Sequence, residues 1–106
     1  MVECDSEHPP TPKELRRAIR DCLESGSVVF SGHSRRRMEE RNIIETDVVN
    51  VLENGRALPE PEWMNWHWRY RIETQNLGVV VTFEPEAGDI DELIIVTTFR
   101  NRRRSS

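Results

Sequence analysis

The chain has 106 residues, 36% hydrophobic and 32% charged, with a formal net charge of −4. That length suits one domain with a small core and is too short for two. Apolar runs such as Leu93–Val96 reach only four residues, far short of a membrane-spanning helix, while three Trp and three Phe argue against general disorder.

Residues 1–10, MVECDSEHPP, read as a loose acidic leader without the apolar stretch of a signal peptide, so a cytoplasmic protein is expected. Cys4 and Cys22 form no CxxC pair, which argues against a disulfide framework or a cysteine metal site. Thr11, Pro12 and Glu14 then spell a helix start, with Thr as cap, Pro in the first turn and Glu completing a capping box. Leu15, Ala18, Ile19, Cys22 and Leu23 recur at helical spacing, so Cys22 reads as a core residue, and Gly26 ends the helix. Val28–Phe30 is a short extended stretch. A second helix is expected from about Ser34 to Arg41 or Asn42, followed by a buried Ile43–Ile44 elbow. Thr46 is the expected cap of a third helix, with Val48, Val49, Val51 and Leu52 inward and Gly55 just beyond its end.

From Trp63 the period changes from helical to alternating. Trp66, Trp68, Tyr70 and Ile72 alternate with His67, Arg69, Arg71 and Glu73, the pattern of a two-faced strand. Residues 75–78 read as a turn, Val79–Phe83 as a second strand, residues 84–89 as a polar loop, and Leu93–Phe99 as a third strand. Helices first and strands afterwards predict an α+β domain over residues 11–100: helices on one face of a small antiparallel sheet, a three-stranded meander with room for a fourth short strand. Residues 101–106 read as a basic tail.

The acidic total hides a segregated charge pattern. Residues 31–41, 63–75 and 100–106 hold ten Arg against three acids, whereas the rest holds five basic and sixteen acidic residues. Fourteen of the fifteen basic residues are Arg, whose planar fork suits phosphate, although general use of Arg in place of Lys would give the same count. His33, Arg37 and Arg41 follow one another at i, i+4 and i+8, so they share one side of the second helix. Imidazole is the side chain suited to proton transfer near neutral pH, and it sits where a helix start attracts anions. The blander reading is a solvated face with Arg35–Glu39 and Arg36–Glu40 pairs.

On the first long strand, burying the aromatics leaves His67, Arg69 and Arg71 on an open, shallow, basic face, suited to a phosphodiester backbone. The inverse, with Trp exposed for base stacking, would bury two Arg and one His at a large cost. Alternation sends Thr97 and Thr98 to opposite faces, Thr98 sharing its face with Arg100. No phosphate-binding glycine loop and no HExxH appears, so neither a metal nor another cofactor is expected. A helix-turn-helix over the second and third helices is disfavoured by their apolar elbow.

FSGHSRRRMEERNIIETDVVNVLENG resembles a prokaryotic domain-of-unknown-function group with the signature F-S-x-H-A-x-x-R-M-x-x-R-x-I. That group looks related to the barnase–EndoU–colicin–RelE nuclease superfamily, which includes RelE-type and MqsR-type toxins. Phe30, Ser31, His33, Arg37, Met38, Arg41, Ile43, Val48 and Leu52 occupy the matching positions, and YRIE, VVVTF and ELIIVTTFR resemble the family's three strands. Ser34 stands where the signature has Ala, and the tryptophan-rich segment, acidic charge and N-terminal helix are further departures. The resemblance implies a RelE-like fold and a metal-independent endoribonuclease of a toxin–antitoxin pair, attacking phosphate with the RNA 2′-hydroxyl. His33 would be its general acid or base, and Arg37, Arg41 and Arg69 would hold the phosphate. Arg36, His67, Tyr70, Arg71, Thr98 and Arg100 are the expected RNA contacts. The implied partners are RNA and an antitoxin protein, of zinc-finger and helix-turn-helix type. A non-catalytic RNA- or protein-binding module of the same fold is the alternative.

Overall fold

The computed structural model describes residues 11–58, 60–64, 67–85 and 91–100. The leader, Trp66, residues 86–89 of the polar loop, the basic tail and the side chain of His67 lie outside the described residues. In chain order the elements are α1 (Pro12–Ser25), β1 (Val28–Phe30), α2 (Gly32–Arg41), α3 (Glu45–Asn54), β2 (Arg56–Ala57), β3 (Glu62–Met64), β4 (His67–Glu73), β5 (Leu77–Pro85) and β6 (Asp91–Arg100). The class is α+β, as the order of patterns implies.

The sheet is larger than the expected meander. Its order is β1-β6-β5-β4-β2, with β3 also pairing β4, giving six strands. It is mixed, because β1 runs parallel to β6 while the other pairs are antiparallel. The parallel pair joins Val28–Phe30 to Leu93–Ile95 across two intervening helices and the strands β2 to β5, and a partner that distant leaves no trace in local periodicity. β2 and β3 share one edge of β4 and are too short to show an alternating pattern. β5 also absorbs Leu77–Gly78 and Glu84–Pro85, read above as turn and loop.

The helix ends follow local chemistry. In α1, the Thr11 hydroxyl accepts from the Glu14 amide and the Glu14 carboxylate accepts from the Thr11 amide, at 3.2 and 2.9 Å, while Gly26 closes the helix at φ 81°. Helix α2 starts two residues earlier than expected, because the Ser31 hydroxyl accepts from the Ser34 amide at 3.0 Å and so caps a turn containing Gly32 and His33. The same hydroxyl donates to the Val96 carbonyl at 3.1 Å, pinning the helix start to β6. Thr46 is not the cap of α3. That position falls to Ile44, which has no acceptor, and the Asp47 carboxylate supplies half of a cap by accepting from the Ile44 amide at 3.1 Å. Ile43 is buried, but Ile44 is 61% exposed, so only one residue of the elbow enters the core. Gly55 ends α3 by close approach: a Cβ there would lie 2.5 Å from the Val51 carbonyl oxygen and 2.9 Å from Ile72 Cγ2.

One sheet face carries the core. Tyr70 and Ile72, Val79 and Val81, and Leu93 and Ile95 are all buried, and they pack with Leu15, Ile19, Cys22, Met38, Val48, Val51 and Leu52 from the helices. The alternating residues Arg69, Arg71, Val80, Thr97 and Phe99 lie on the opposite face and are exposed or half-buried. A β-bulge at Val80/Val81 lets Val80 pair with Thr97 and Val81 with Ile95. The extra residue, Val96, shifts the phase of β6 so that Ile95 and Thr98, three apart, both point into the core.

Candidate nucleic-acid interface

Helix α2 lies over β6 with Ser34 and Met38 buried beneath it. His33, in the first turn, is exposed, and Arg37 and Arg41 are half-buried along the flank. The three therefore lie along one flank, as the spacing implies, but Arg37 is not free to meet a ligand unaided. Its guanidinium donates to the Glu40 carboxylate at 3.1 Å. The expected Arg35–Glu39 and Arg36–Glu40 pairs are replaced by this one and by Arg35–Glu45 at 2.9 Å. The Arg35 guanidinium carbon also sits 4.7 Å from the centre of the Phe30 ring. Arg36 is exposed and makes no described ion pair.

Two expected RNA contacts are interior. Tyr70 is 7% exposed, its ring 6.0 Å from that of Phe83. Thr98 is 1% exposed and its hydroxyl has no hydrogen-bond partner among the described residues. Both share the core face with Ile72 and Ile95, so the Tyr70 ring and the Thr98 hydroxyl belong mainly to the core, although Tyr70 also borders the depression beside Arg69 and Arg71. Arg100 shares the Thr98 face but lies at the end of β6, where it reaches the C-terminus of α2. Its Nε donates to the Arg41 carbonyl and its Nη2 to the Asn42 carbonyl, both at 3.1 Å. A guanidinium there satisfies helix-end carbonyls and complements the negative end of the helix dipole.

Arg69 and Arg71 occupy the other side of the sheet. They alternate with Tyr70 and Ile72, whose burial fixes the guanidiniums on the face that none of the described helices covers. The four expected catalytic residues thus divide between two surfaces: His33, Arg37 and Arg41 on the helix layer, and Arg69 across the sheet. One strand, β5, lies between β6, under α2, and β4, two strand spacings or about 10 Å.

The open face has organisation that alternation alone does not reveal. The Arg71 guanidinium carbon lies 5.0 Å from the centre of the Phe99 ring, a cation–π contact that holds it over β6. Phe99 in turn covers Gly78, where a Cβ would come within 2.2 Å of the ring. Beside them a depression of about 500 Å³ is lined by Leu58, Glu60, Pro61, Glu62, Arg69, Tyr70, Arg71 and Val80. Glu62 stands opposite Arg69 across the β3–β4 pair, yet among the described residues neither Arg69 nor Arg71 is ion-paired. Glu60 and Glu62 have no place in the sequence expectations, because the stretch before β4 carries no periodic signal. Among the described residues no three His, Cys, Asp or Glu side chains gather in a way that could hold a metal, and no helix is long and apolar enough to cross a membrane.

The family model described as Domain of unknown function (DUF4258) matches residues 30–100, about two thirds of the chain. The match runs from Phe30, ahead of the α2 cap, to Arg100 at its far end. No curated protein and no solved structure matches the chain.

Proposed function

The chain belongs to the DUF4258 family of domains of unknown function, and from that footing we propose that it is an RNA-binding module gripping the phosphodiester backbone with the sheet face that none of the described helices covers. The observation that carries this reading is the pair Arg69 and Arg71, on the open face and free of carboxylate partners among the described residues. Two residues apart on a strand they stand about 7 Å from each other, so each can meet its own phosphate. Arg71 is pre-positioned by Phe99, which lowers the ordering cost of binding. Fluorescence anisotropy with a labelled single-stranded RNA tests it. Arg69→Ala and Arg71→Ala should each weaken binding and reduce the salt dependence by about one unit of log–log slope. Unchanged affinity in the double variant would overturn the reading.

A second reading keeps the RelE-like expectation: a metal-independent endoribonuclease of a toxin–antitoxin pair, using His33 for proton transfer. It is favoured by the exposure of His33 and Arg36 near the start of α2. It requires the RNA to bend round the sheet edge, or to engage α2 alone, because His33 and Arg69 lie on different layers. Cleavage of RNA in the presence of EDTA, abolished by His33→Ala, would support it, as would growth arrest on expression relieved by a neighbouring antitoxin gene.

A further inference from the structure

The depression next to Arg69 and Arg71 contains two carboxylates as well as two guanidiniums. A surface built only for phosphate would gain nothing from Glu60 and Glu62, which repel the anion. Glu62 stands directly across the β3–β4 pair from Arg69, close enough in backbone terms for an ion pair, yet no such pair is present among the described residues. Leu58, Pro61 and Val80 supply apolar lining to the same depression. The site is therefore bipolar, with cationic, anionic and apolar groups in its lining, and its volume of about 500 Å³ falls in the range of small-molecule sites.

We infer that this depression reads one base of the bound strand and selects guanine, an inference that rests on the RNA-binding reading above. A carboxylate is an acceptor with two oxygens. Guanine offers it adjacent donors, the ring N1–H and the exocyclic amine, so both oxygens are used at once. Adenine and cytosine place an acceptor nitrogen beside their amine, and uracil flanks its single N–H with two carbonyl oxygens. Each of those edges sets at least one lone pair against the carboxylate. Glu62 is the reading residue because β3 holds it beside Arg69, so that one nucleotide can place its phosphate on the guanidinium and its base edge on the carboxylate. Glu60, from the segment before β3, reinforces it. Unpaired bases present these edges only in single strands, which makes single-stranded RNA the ligand.

The test is anisotropy with the full chain and short uridine oligoribonucleotides carrying one central guanosine, adenosine or cytidine, against the all-uridine strand. The guanosine strand should bind about tenfold more tightly than the other three, the order of discrimination a bidentate base contact gives. Glu62→Gln should collapse that ratio toward one, and Glu60→Gln should reduce it. Equal affinity for all four strands overturns the inference while leaving RNA binding intact. A guanosine preference that survives both substitutions overturns the assignment to these residues. No binding to any strand overturns the RNA-binding reading and the inference with it.

Discussion

Replacing Thr98 by Val should stabilise the protein. The side chain is 1% exposed, faces the helices and leaves its hydroxyl without a hydrogen-bond partner among the described residues. A buried hydroxyl in that state costs about 1–3 kcal/mol of lost hydration. Valine has nearly the same shape and is an equally good strand former, so Thr98→Val removes the penalty without opening a cavity. A gain of about 1–2 kcal/mol is expected, which for a domain of this size raises Tm by about 4–8 °C per kcal/mol. Urea unfolding followed by circular dichroism should show a higher midpoint with an unchanged slope. Thr97→Val, on the half-open opposite face, is the control and should move stability by no more than about 0.5 kcal/mol. Loss of stability in Thr98→Val, or loss of RNA binding, would refute the placement of Thr98 in the core and with it the phase shift caused by the bulge.

Gly78→Ala places a methyl against the Phe99 ring and should cost about 1–3 kcal/mol by overpacking. It should also weaken RNA binding by displacing the ring that supports Arg71, which thermal melting and anisotropy on the same variant would check together. Arg100→Ala removes two hydrogen bonds from the C-terminus of α2 and should cost about 1 kcal/mol in urea unfolding, with far less effect on RNA affinity than Arg71→Ala. Asp47→Ala, which releases the Ile44 amide at the start of α3, should cost about 1 kcal/mol. If the nuclease reading holds, EDTA should leave cleavage intact and His33→Ala should remove it without changing Tm.

Much of the fold is written locally. The α1 cap is fully specified by Thr11, Pro12 and Glu14, and the alternation of Tyr70 and Ile72 with Arg69 and Arg71 correctly divides β4 into a core face and an open one. What local reasoning misses depends on distant or irregular partners. The pairing of β1 with β6, the pairing of the two-residue β2 with β4, and the extra residue at Val96 are settled by tertiary packing. The cap of α3 is missed for a related reason: Thr46 is a good cap by type, but Asp47, two residues inside the helix, reaches back to Ile44.

The candidate site was legible to the same extent. Arg69 and Arg71 follow from a period of two, whereas their separation from His33 follows from which sheet face α2 covers, and no spacing within α2 encodes that. Thr98 and Arg100 share a face as alternation implies. That face proves to be the covered one, which turns one residue into core and the other into a helix cap. Glu60 and Glu62 carry no periodic signal, and only the depression draws attention to them.

On the proposed reading RNA engages the sheet face left open by the described helices, through Arg69 and Arg71. Arginine side-chain Nε–H resonances, followed by NMR during titration with single-stranded RNA, test it residue by residue. The Arg69 and Arg71 signals should shift progressively and saturate, while those of Arg35, Arg36, Arg37 and Arg41 on the helix layer stay in place. Shifts confined to the α2 arginines, with Arg69 and Arg71 unmoved, would contradict it.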